Sequence, residues 1–188
     1  MNLNKLKCKE NVINVLIGHR GSRDNNHLEI LEKLRKFKDK IEIYIPLSYG
    51  ESDYIEELCS VCECKYKDYN LHLIKDFYKF EEYSKFLSTM DIAIFDGKES
   101  YALGNISLLL MFDKKIFISK DSLIAKAFDE KNVPYGKVET IEKLDFDSFL
   151  HQYLYNQSSI EPFIMNSYEG AINGWKQLFI DLDNYGNV

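Results

Sequence analysis

The residues best suited to bind an anion lie in the segment 18–27, GHRGSRDNNH, which follows a short apolar run. Gly18 and Gly21 allow the backbone to turn there and to approach a ligand closely. Free amides at the start of a helix favour an anion, and arginines such as Arg20 and Arg23 can pair with a diphosphate. The candidates for contact with a diphosphate or a sugar in this loop are His19, Arg20, Gly21 and Ser22.

The glycine spacing of this loop excludes two familiar phosphate motifs. A dinucleotide-binding fingerprint needs a third glycine, and a P-loop needs a Gly-Lys-Ser/Thr sequence, and neither is present. The same residues also fit an ordinary polar connection in which Asp24 or Asn25 caps the following helix. The spacing alone leaves both interpretations open.

Two further loops carry candidate binding residues. The segment 46–50, PLSYG, offers Ser48 and an aromatic ring, Tyr49, that can stack on a base or a sugar. The pattern alone favours a simpler interpretation, a strand ended by proline and followed by a glycine turn. The segment 95–106 offers a carboxylate, Glu99 or Asp96, for ribose or sugar hydroxyls, although an ordinary loop with a packing glycine is the alternative. The same segment ends in Gly104, Asn105 and Ile106, whose backbone amides could meet a phosphate at a helix start.

Short apolar, β-branched runs alternate with amphipathic segments along the chain, which predicts parallel βαβ units. We therefore expect an α/β fold with a Rossmann-like parallel sheet sandwiched by helices. The predicted strands are 12–17, 41–45, 65–70, 91–95, 116–118 and 134–138. The predicted helices are 27–38, 52–62, 80–89, 100–112, 122–131, 145–155 and 161–182. In such a sheet all three candidate loops lie at the carboxyl ends of strands, where ligands bind.

The pattern divides the chain into three parts. Residues 1–11 are charged and unpatterned, and we expect a lead-in or the remnant of a linker. Residues 12–158 form the predicted Rossmann-like domain. Residues 159–188 are predicted to be a C-terminal helix that packs on this domain or toward a partner domain.

The composition excludes some functions and indicates a cellular compartment. The 188 residues carry a net charge of −6, so no broad basic surface is available for duplex nucleic acid. Three of the four cysteines cluster at 59–64 without a second pair of metal ligands, so we expect reduced thiols, no metal site and a cytosolic protein. No signal peptide is evident, and no apolar run approaches the ~20 residues that span a bilayer.

The candidate loops together resemble a known family. The similarity is carried by VLIGH at 15–19, NNHLE at 25–29 and IPLSYG at 45–50. Weaker matches follow at 80–83 and 104–106. These motifs resemble the bacterial TDP-4-acetamido-4,6-dideoxygalactose (Fuc4NAc) transferases, or 4-alpha-L-fucosyltransferases, of glycosyltransferase family 56, over residues 12–138.

The resemblance implies a GT-B fold, of which this chain would be the C-terminal-type half that holds the sugar donor. It implies metal-independent transfer of Fuc4NAc from a TDP-sugar to a lipid-linked glycan in enterobacterial common antigen synthesis, with no cofactor besides the nucleotide-sugar. Family members are about twice this length, so the acceptor-binding domain would be absent here. Association with the cytoplasmic face of the inner membrane and self-association are further expectations.

A second class of function fits the same fold. A flavodoxin-like or response-regulator-like domain would bind a ligand without catalysis. Such domains place paired acidic residues after the first strand, and the segment 18–22 has none. We therefore favour the glycosyltransferase interpretation.

Overall fold

The computed structural model describes residues 12–98 and 102–164. Their central feature is a parallel sheet of six strands in the order β3-β2-β1-β4-β5-β6. The strands are β1 (Ile13–Ile17), β2 (Ile41–Pro46), β3 (Leu71–Ile74), β4 (Ile92–Phe95), β5 (Lys115–Ile118) and β6 (Gly136–Lys137). The predicted α/β fold with a Rossmann-like parallel sheet is confirmed.

Helices connect the strands and cover both faces of the sheet. They are α1 (His27–Lys33), α2 (Ser52–Lys65), α3 (Phe80–Ser88), α4 (Leu103–Met111), α5 (Leu123–Glu130), α6 (Phe146–Leu150) and α7 (Gln157–Ile160). Shorter 3₁₀ turns lie at Arg23–Asn25, Arg35–Phe37, Val138–Lys143 and Glu161–Phe163.

Two hydrophobic clusters, one on each face, hold the helices on the sheet. On the first face, residues of α1, α2 and α6 pack against strand residues such as Val15 and Ile43. On the second face, residues of α3, α4 and α5 pack against residues such as Leu16 and Ala93. Because adjacent strand residues face opposite sides and both sides are covered, stretches such as residues 15–17 and Ile92–Phe95 are continuously apolar rather than alternating.

The direction in which successive strands are added to the sheet changes at β1. The chain moves outward from β1 to β2 and β3, and then returns to place β4 on the other side of β1. The Gly18 amide extends this pairing beyond the strand by donating to the Ile94 carbonyl at 2.9 Å. Consequently the loops that follow β1 and β4 lie side by side, at the switch point where open α/β sheets bind ligands.

Several predicted boundaries were wrong. The segment 65–70 is not a strand: α2 continues to Lys65, and the strand is Leu71–Ile74. Tyr66 and Tyr69 are both buried against the first-face cluster as the chain leaves α2. The predicted helix 145–155 ends at Leu150, after a single turn and a half.

The predicted terminal elements fall mostly outside the described residues. The lead-in 1–11 lies outside them, as do residues 165–188 of the predicted helix 161–182. The described start of that helix is the 3₁₀ turn Glu161–Phe163, and the Phe163 ring packs edge-on against Phe128 at 4.7 Å. The chain therefore returns to the second face of the sheet, next to α5.

Candidate functional site

The loops after β1 and β2 are joined to each other at the carboxyl edge of the sheet. The Gly21 amide donates to the Tyr49 carbonyl at 2.9 Å, and the Glu51 amide donates to the Gly21 carbonyl at 2.7 Å. A Cβ atom on Gly50 would lie 2.1 Å from the Gly21 carbonyl oxygen, and one on Gly21 would lie 2.2 Å from Ile55 Cγ1. Both glycines are therefore required for the two loops to meet.

A chain of polar side chains orders the β1–α1 loop internally. Arg20 Nη2 donates to Asp24 Oδ2 at 3.1 Å, and Asn25 Nδ2 donates to Asp24 Oδ1 at 3.0 Å. Asn25 Oδ1 lies 3.1 Å from His19 Nδ1. Asn25 and His19 are both buried. The loop is thus a rigid, hydrogen-bonded unit rather than a loose connection.

The start of α1 differs from the cap that we expected. Asp24 and Asn25 belong to a 3₁₀ turn, and the residue that precedes the helix is Asn26, in the left-handed region at φ 49°. The Asn26 side chain does not cap α1; its Nδ2 donates to the Asp96 carbonyl at 2.9 Å. Asn26 therefore ties the β1–α1 loop to the loop after β4.

A buried histidine, His27, packs against the β1–α1 loop. His27 is fully buried, and its Nδ1 lies 2.9 Å from the Tyr54 hydroxyl on α2. A Cβ atom on Gly18, which has φ +65°, would lie 2.8 Å from His27 Nε2. Burial lowers the pKa of His27 to about 4, so the ring is neutral at pH 7.

The larger cavity at this edge has a volume of about 270 Å³ and opens between the loops after β1, β2 and β3. Its lining is mainly aromatic. The lining residues are His19, Pro46, Ser48, Tyr49, Ile74, Asp76, Phe77, Tyr78, Phe80, Tyr83 and Asn105. Phe77 and Phe80 are 81% and 73% exposed, which leaves large apolar surfaces open to a ligand.

A smaller cavity of about 10 Å³ lies beside it at the switch point between β1 and β4. It is lined by His19, Asn25, Phe95, Gly97, Ala102, Ile106, Ile118, Ser122 and Ile124. His19 borders both cavities. The imidazole of His19 therefore lies where the two spaces adjoin.

The start of α4 presents backbone amides to the same edge. Ala102, at φ 61°, precedes the helix, and the Ile106 amide donates to its carbonyl at 2.9 Å. The Ile106 amide is therefore engaged within the helix, whereas the amides of Leu103, Gly104 and Asn105 precede this first intrahelical bond. A Cβ atom on Gly104 would meet no described atom within 4 Å.

An acidic group with a displaced pKa lies next to the small cavity. Burial, together with Glu139 and Glu29, raises the pKa of Asp96 to about 6. A carboxylate here disfavours a nearby phosphate but accepts hydrogen bonds from hydroxyl groups. The negative charge of the Asp96 carboxylate thus favours a sugar or ribose hydroxyl close to it and a phosphate farther from it.

The structure brings together half of the predicted binding residues at the two cavities. His19, Ser48, Tyr49, Asn105 and Ile106 line one or both of them. Gly104 adjoins them in the first turn of α4.

The other predicted binding residues have different surroundings. Gly21 holds the paired loops, and the Ser22 hydroxyl donates to Glu51, so neither is among the lining residues. Arg20 is paired with Asp24 next to His19. Glu99 lies outside the described residues. For all ten predicted residues, contact with a ligand stays a prediction.

Arg23, the second arginine of the loop, is engaged by α2. Its guanidinium lies 2.8 Å from Glu57 and 3.4 Å from Asp53, and it stacks over the Tyr54 ring at 5.0 Å. These contacts hold Arg23 on the outer side of the loop. Arg20 is therefore the better placed of the two arginines for a diphosphate.

The aromatic residues after β3 were missed by the sequence analysis. Phe77, Tyr78, Phe80 and Tyr83 are four of the eleven residues that line the large cavity. They were overlooked because the third strand was placed at 65–70, so the carboxyl end of the real strand was not considered. The signal was the segment 71–74, LHLI, which is followed after Lys75 and Asp76 by three aromatic residues within the four positions 77–80.

Among residues 12–98 and 102–164, no group of three or more His, Cys, Asp or Glu side chains has the geometry of a metal site. Cys59 and Cys62 are buried in the first-face cluster, whereas Cys64 is exposed. Over the same ranges, no helix combines the length and the apolar character needed to cross a bilayer.

The family comparison agrees with this geometry. The family model described as 4-alpha-L-fucosyltransferase, glycosyl transferase group 56, matches residues 1–180. The chain belongs to this family. The motifs at 15–19, 25–29 and 45–50 fall within the matched range, and they lie on or directly beside the two joined loops.

Solved structures show the same fold at low sequence identity. A structure described as trehalose-6-phosphate from E. coli bound with UDP-2-fluoro glucose has a TM-score of 0.62 and 12% identity, over 91% of this chain and 44% of that chain. A trehalose-6-phosphate synthase, OtsA, has a TM-score of 0.60 and 13% identity, over 91% and 43%. An alpha,alpha-trehalose-phosphate synthase (UDP-forming) from Burkholderia vietnamiensis has a TM-score of 0.56 and 8% identity, over 91% and 45%.

These neighbours are GT-B glycosyltransferases, so the family 56 chain has the Rossmann-like fold found in that class. The chain spans less than half the length of each of them.

Proposed function

We propose that this family 56 chain binds the nucleotide-sugar donor of a glycosyltransferase. The observation that carries the proposal is the large cavity at the carboxyl edge of the sheet, beside the β1/β4 switch point, where His19, Tyr49 and Asn105 come together from three different connections. Ligands of open parallel sheets bind at this position. Family membership supports a sugar transferase rather than another nucleotide-binding function.

The nucleoside end of the donor fits the aromatic part of the large cavity. Tyr49 and Phe77 are 51% and 81% exposed, and both line the space next to Ser48. Base stacking on aromatic side chains contributes about 1–3 kcal/mol per base and tolerates any base. The aromatic lining would therefore supply affinity for any base. Polar groups such as Ser48 would select among the bases. The family resemblance leads us to expect thymine.

The diphosphate fits the start of α4. The amides of Leu103, Gly104 and Asn105 precede the first intrahelical bond, and the helix dipole adds partial positive charge there. Gly104 has no described neighbour that would exclude a methyl group, so packing does not explain the glycine. Close approach of a phosphate does explain it.

The chemistry would be displacement of the nucleoside diphosphate at the anomeric carbon by an acceptor hydroxyl. Negative charge develops on the departing diphosphate, and the α4 amides with the Arg20 guanidinium would stabilise it without a metal ion. The resemblance points to a deoxyamino sugar such as Fuc4NAc on TDP. A lipid-linked glycan at the cytoplasmic face of the inner membrane, held by a separate domain, would be the acceptor.

Titration calorimetry with TDP, UDP and GDP tests this proposal, with Gly104→Ala as the decisive variant. Replacing glycine by alanine in a helix stabilises by up to about 1 kcal/mol, so the ligand-free variant should unfold at a slightly higher temperature. The added methyl group should nevertheless weaken TDP binding roughly tenfold, because it separates the phosphate from the amides.

A variant on the distant end of α2 serves as the matched control. Glu63→Ala changes an exposed helical residue far from the carboxyl edge and should leave TDP affinity unchanged. Equal TDP affinity for Gly104→Ala and the unaltered chain would contradict the placement of the diphosphate. Binding of none of the three nucleotides would contradict the proposed function itself.

A further inference from the structure

Two uncharged polar side chains join α3 to α4 at the wall of the large cavity. Asn105 Nδ2, in the first turn of α4, donates to the Tyr83 hydroxyl of α3 at 2.9 Å. Both residues line the large cavity, and both are only partly buried. Within residues 12–98 and 102–164, neither side chain has a second hydrogen-bond partner. Their remaining donors and acceptors are therefore available to a ligand.

This pair of side chains is neutral at pH 7. Burial raises the pKa of the Tyr83 phenol to about 12, so the hydroxyl keeps its proton. The Asn105 amide carries no charge in either orientation. A phosphate makes its strongest hydrogen bonds with cations and free backbone amides. The Tyr83–Asn105 pair therefore suits a neutral polar group of the ligand rather than its diphosphate.

The pair offers one donor and one acceptor whichever way round the amide lies. With Asn105 Nδ2 facing Tyr83, the phenolic O–H can donate to a ligand and the amide oxygen can accept from it. With the amide turned over, Tyr83 would donate to the amide oxygen, so the NH₂ group would donate to the ligand and the phenolic oxygen would accept. A hydroxyl group both donates and accepts, so one hydroxyl can use both partners.

We propose that Tyr83 and Asn105 together bind one hydroxyl group of the nucleotide-sugar donor, and that they are specificity-determining residues for a sugar ring in the large cavity. Amides in the first turn of a helix point along its axis, whereas the Asn105 side chain reaches sideways to α3. The diphosphate can thus lie on the α4 amides while a neighbouring sugar ring contacts the pair. The ring is the ribose or the hexose, since one lies on each side of the diphosphate. This inference rests on the proposed function.

Deleting the hydroxyl from the ligand and the amide from the protein forms a cycle that isolates this contact. The probes for titration calorimetry with the full chain are TDP, 3′-deoxy-TDP and TDP-glucose. If the pair binds the ribose, the unaltered chain should bind TDP about three- to tenfold more tightly than 3′-deoxy-TDP, and Asn105→Ala should bind the two equally. If it binds the hexose, Asn105→Ala should lose about three- to tenfold with TDP-glucose but not with TDP.

A purely structural bond between α3 and α4 gives a different result. Asn105→Ala and Tyr83→Phe would then lower the unfolding midpoint, but they would weaken the binding of all three probes by one common factor or not at all. That result would overturn the inference. Tyr83→Phe removes one oxygen atom and keeps the ring that packs on Phe86 at 5.9 Å, so it should fold and show the same ligand-selective loss.

Lys85→Ala is the matched control. It removes an exposed α3 side chain that does not line the large cavity, and it should leave the affinity for all three probes unchanged. If the unaltered chain binds TDP but neither Asn105→Ala nor Tyr83→Phe is selective among the probes, the inference fails while the proposed function stands. If the unaltered chain binds none of the probes, both fail.

Discussion

Replacing Gly50 by alanine should separate the two loops that form one wall of the candidate site. The new Cβ atom would lie 2.1 Å from the Gly21 carbonyl oxygen and 2.6 Å from its carbonyl carbon. Real Cβ atoms do not approach a backbone this closely, and Gly50 has φ +139°, a region that alanine rarely adopts. The loops must therefore move apart, because the neighbour is backbone and cannot rotate away.

The size of the effect follows from the lost contacts. Backbone strain of this kind costs about 1–3 kcal/mol. Breaking the bonds from the Gly21 amide to Tyr49 and from the Glu51 amide to Gly21 costs about 1 kcal/mol each. The total of about 3–5 kcal/mol corresponds to a fall of roughly 6–20 °C in the unfolding midpoint of a chain of this size.

Thermal unfolding followed by far-ultraviolet circular dichroism measures this fall. Gly104→Ala is the matched control, since the same substitution there meets open space and should raise the midpoint slightly. A Gly50→Ala midpoint within about 2 °C of the unaltered chain, which is less than about 1 kcal/mol, would refute the role of the loop pairing.

Two buried titratable groups should give opposite dependences of stability on pH. The pKa of His27 falls from 6.5 to about 4 on folding, so stability is complete above pH 6.5, and about 3 kcal/mol is lost as the pH falls to 4. Urea unfolding across this range should show the loss in the unaltered chain but not in His27→Gln; parallel curves would contradict it. The pKa of Asp96 is instead raised from 3.8 to about 6. Its carboxylate therefore destabilises the fold above pH 6, and this destabilisation is absent below pH 3.8, where the group is protonated in both states. Asp96→Asn should therefore be more stable than the unaltered chain at pH 8, by up to about 2 kcal/mol after solvent screening, and equal to it at pH 3.5. An equal difference at both pH values would show that Asp96 acts through packing rather than charge.

The sheet was predictable because its central strands contain continuous apolar runs. Residues 15–17 and 92–95 are apolar without interruption, as strand segments buried on both faces must be. The edge strand Leu71–Ile74 was not recognised because His72 interrupts it. The His72 ring stacks on Tyr44 at 4.6 Å and hydrogen-bonds Glu42 at 3.2 Å, both on the neighbouring strand. Such cross-strand partners become visible only when the strands are paired.

The candidate loops were predictable from their composition, but their internal order was not. The glycines at 18, 21 and 50 marked turns correctly. Gly21 and Gly50 are 29 positions apart in the sequence. They meet because their two loops come to the same edge of the sheet. The pairing of Arg23 with Glu57 likewise depends on the position of α2 beside the β1–α1 loop. Contacts between distant segments of this kind leave no periodic signal in the sequence.

Amide chemical-shift mapping during a TDP titration tests the central claim most directly. The claim is that a nucleoside diphosphate binds at the carboxyl edge of β1, β2 and β4. The account predicts that the largest shifts in ¹H–¹⁵N correlation spectra occur at residues 18–22, 48–50 and 103–106. Saturable shifts confined to the opposite edge of the sheet, or no shifts at millimolar TDP, would contradict it.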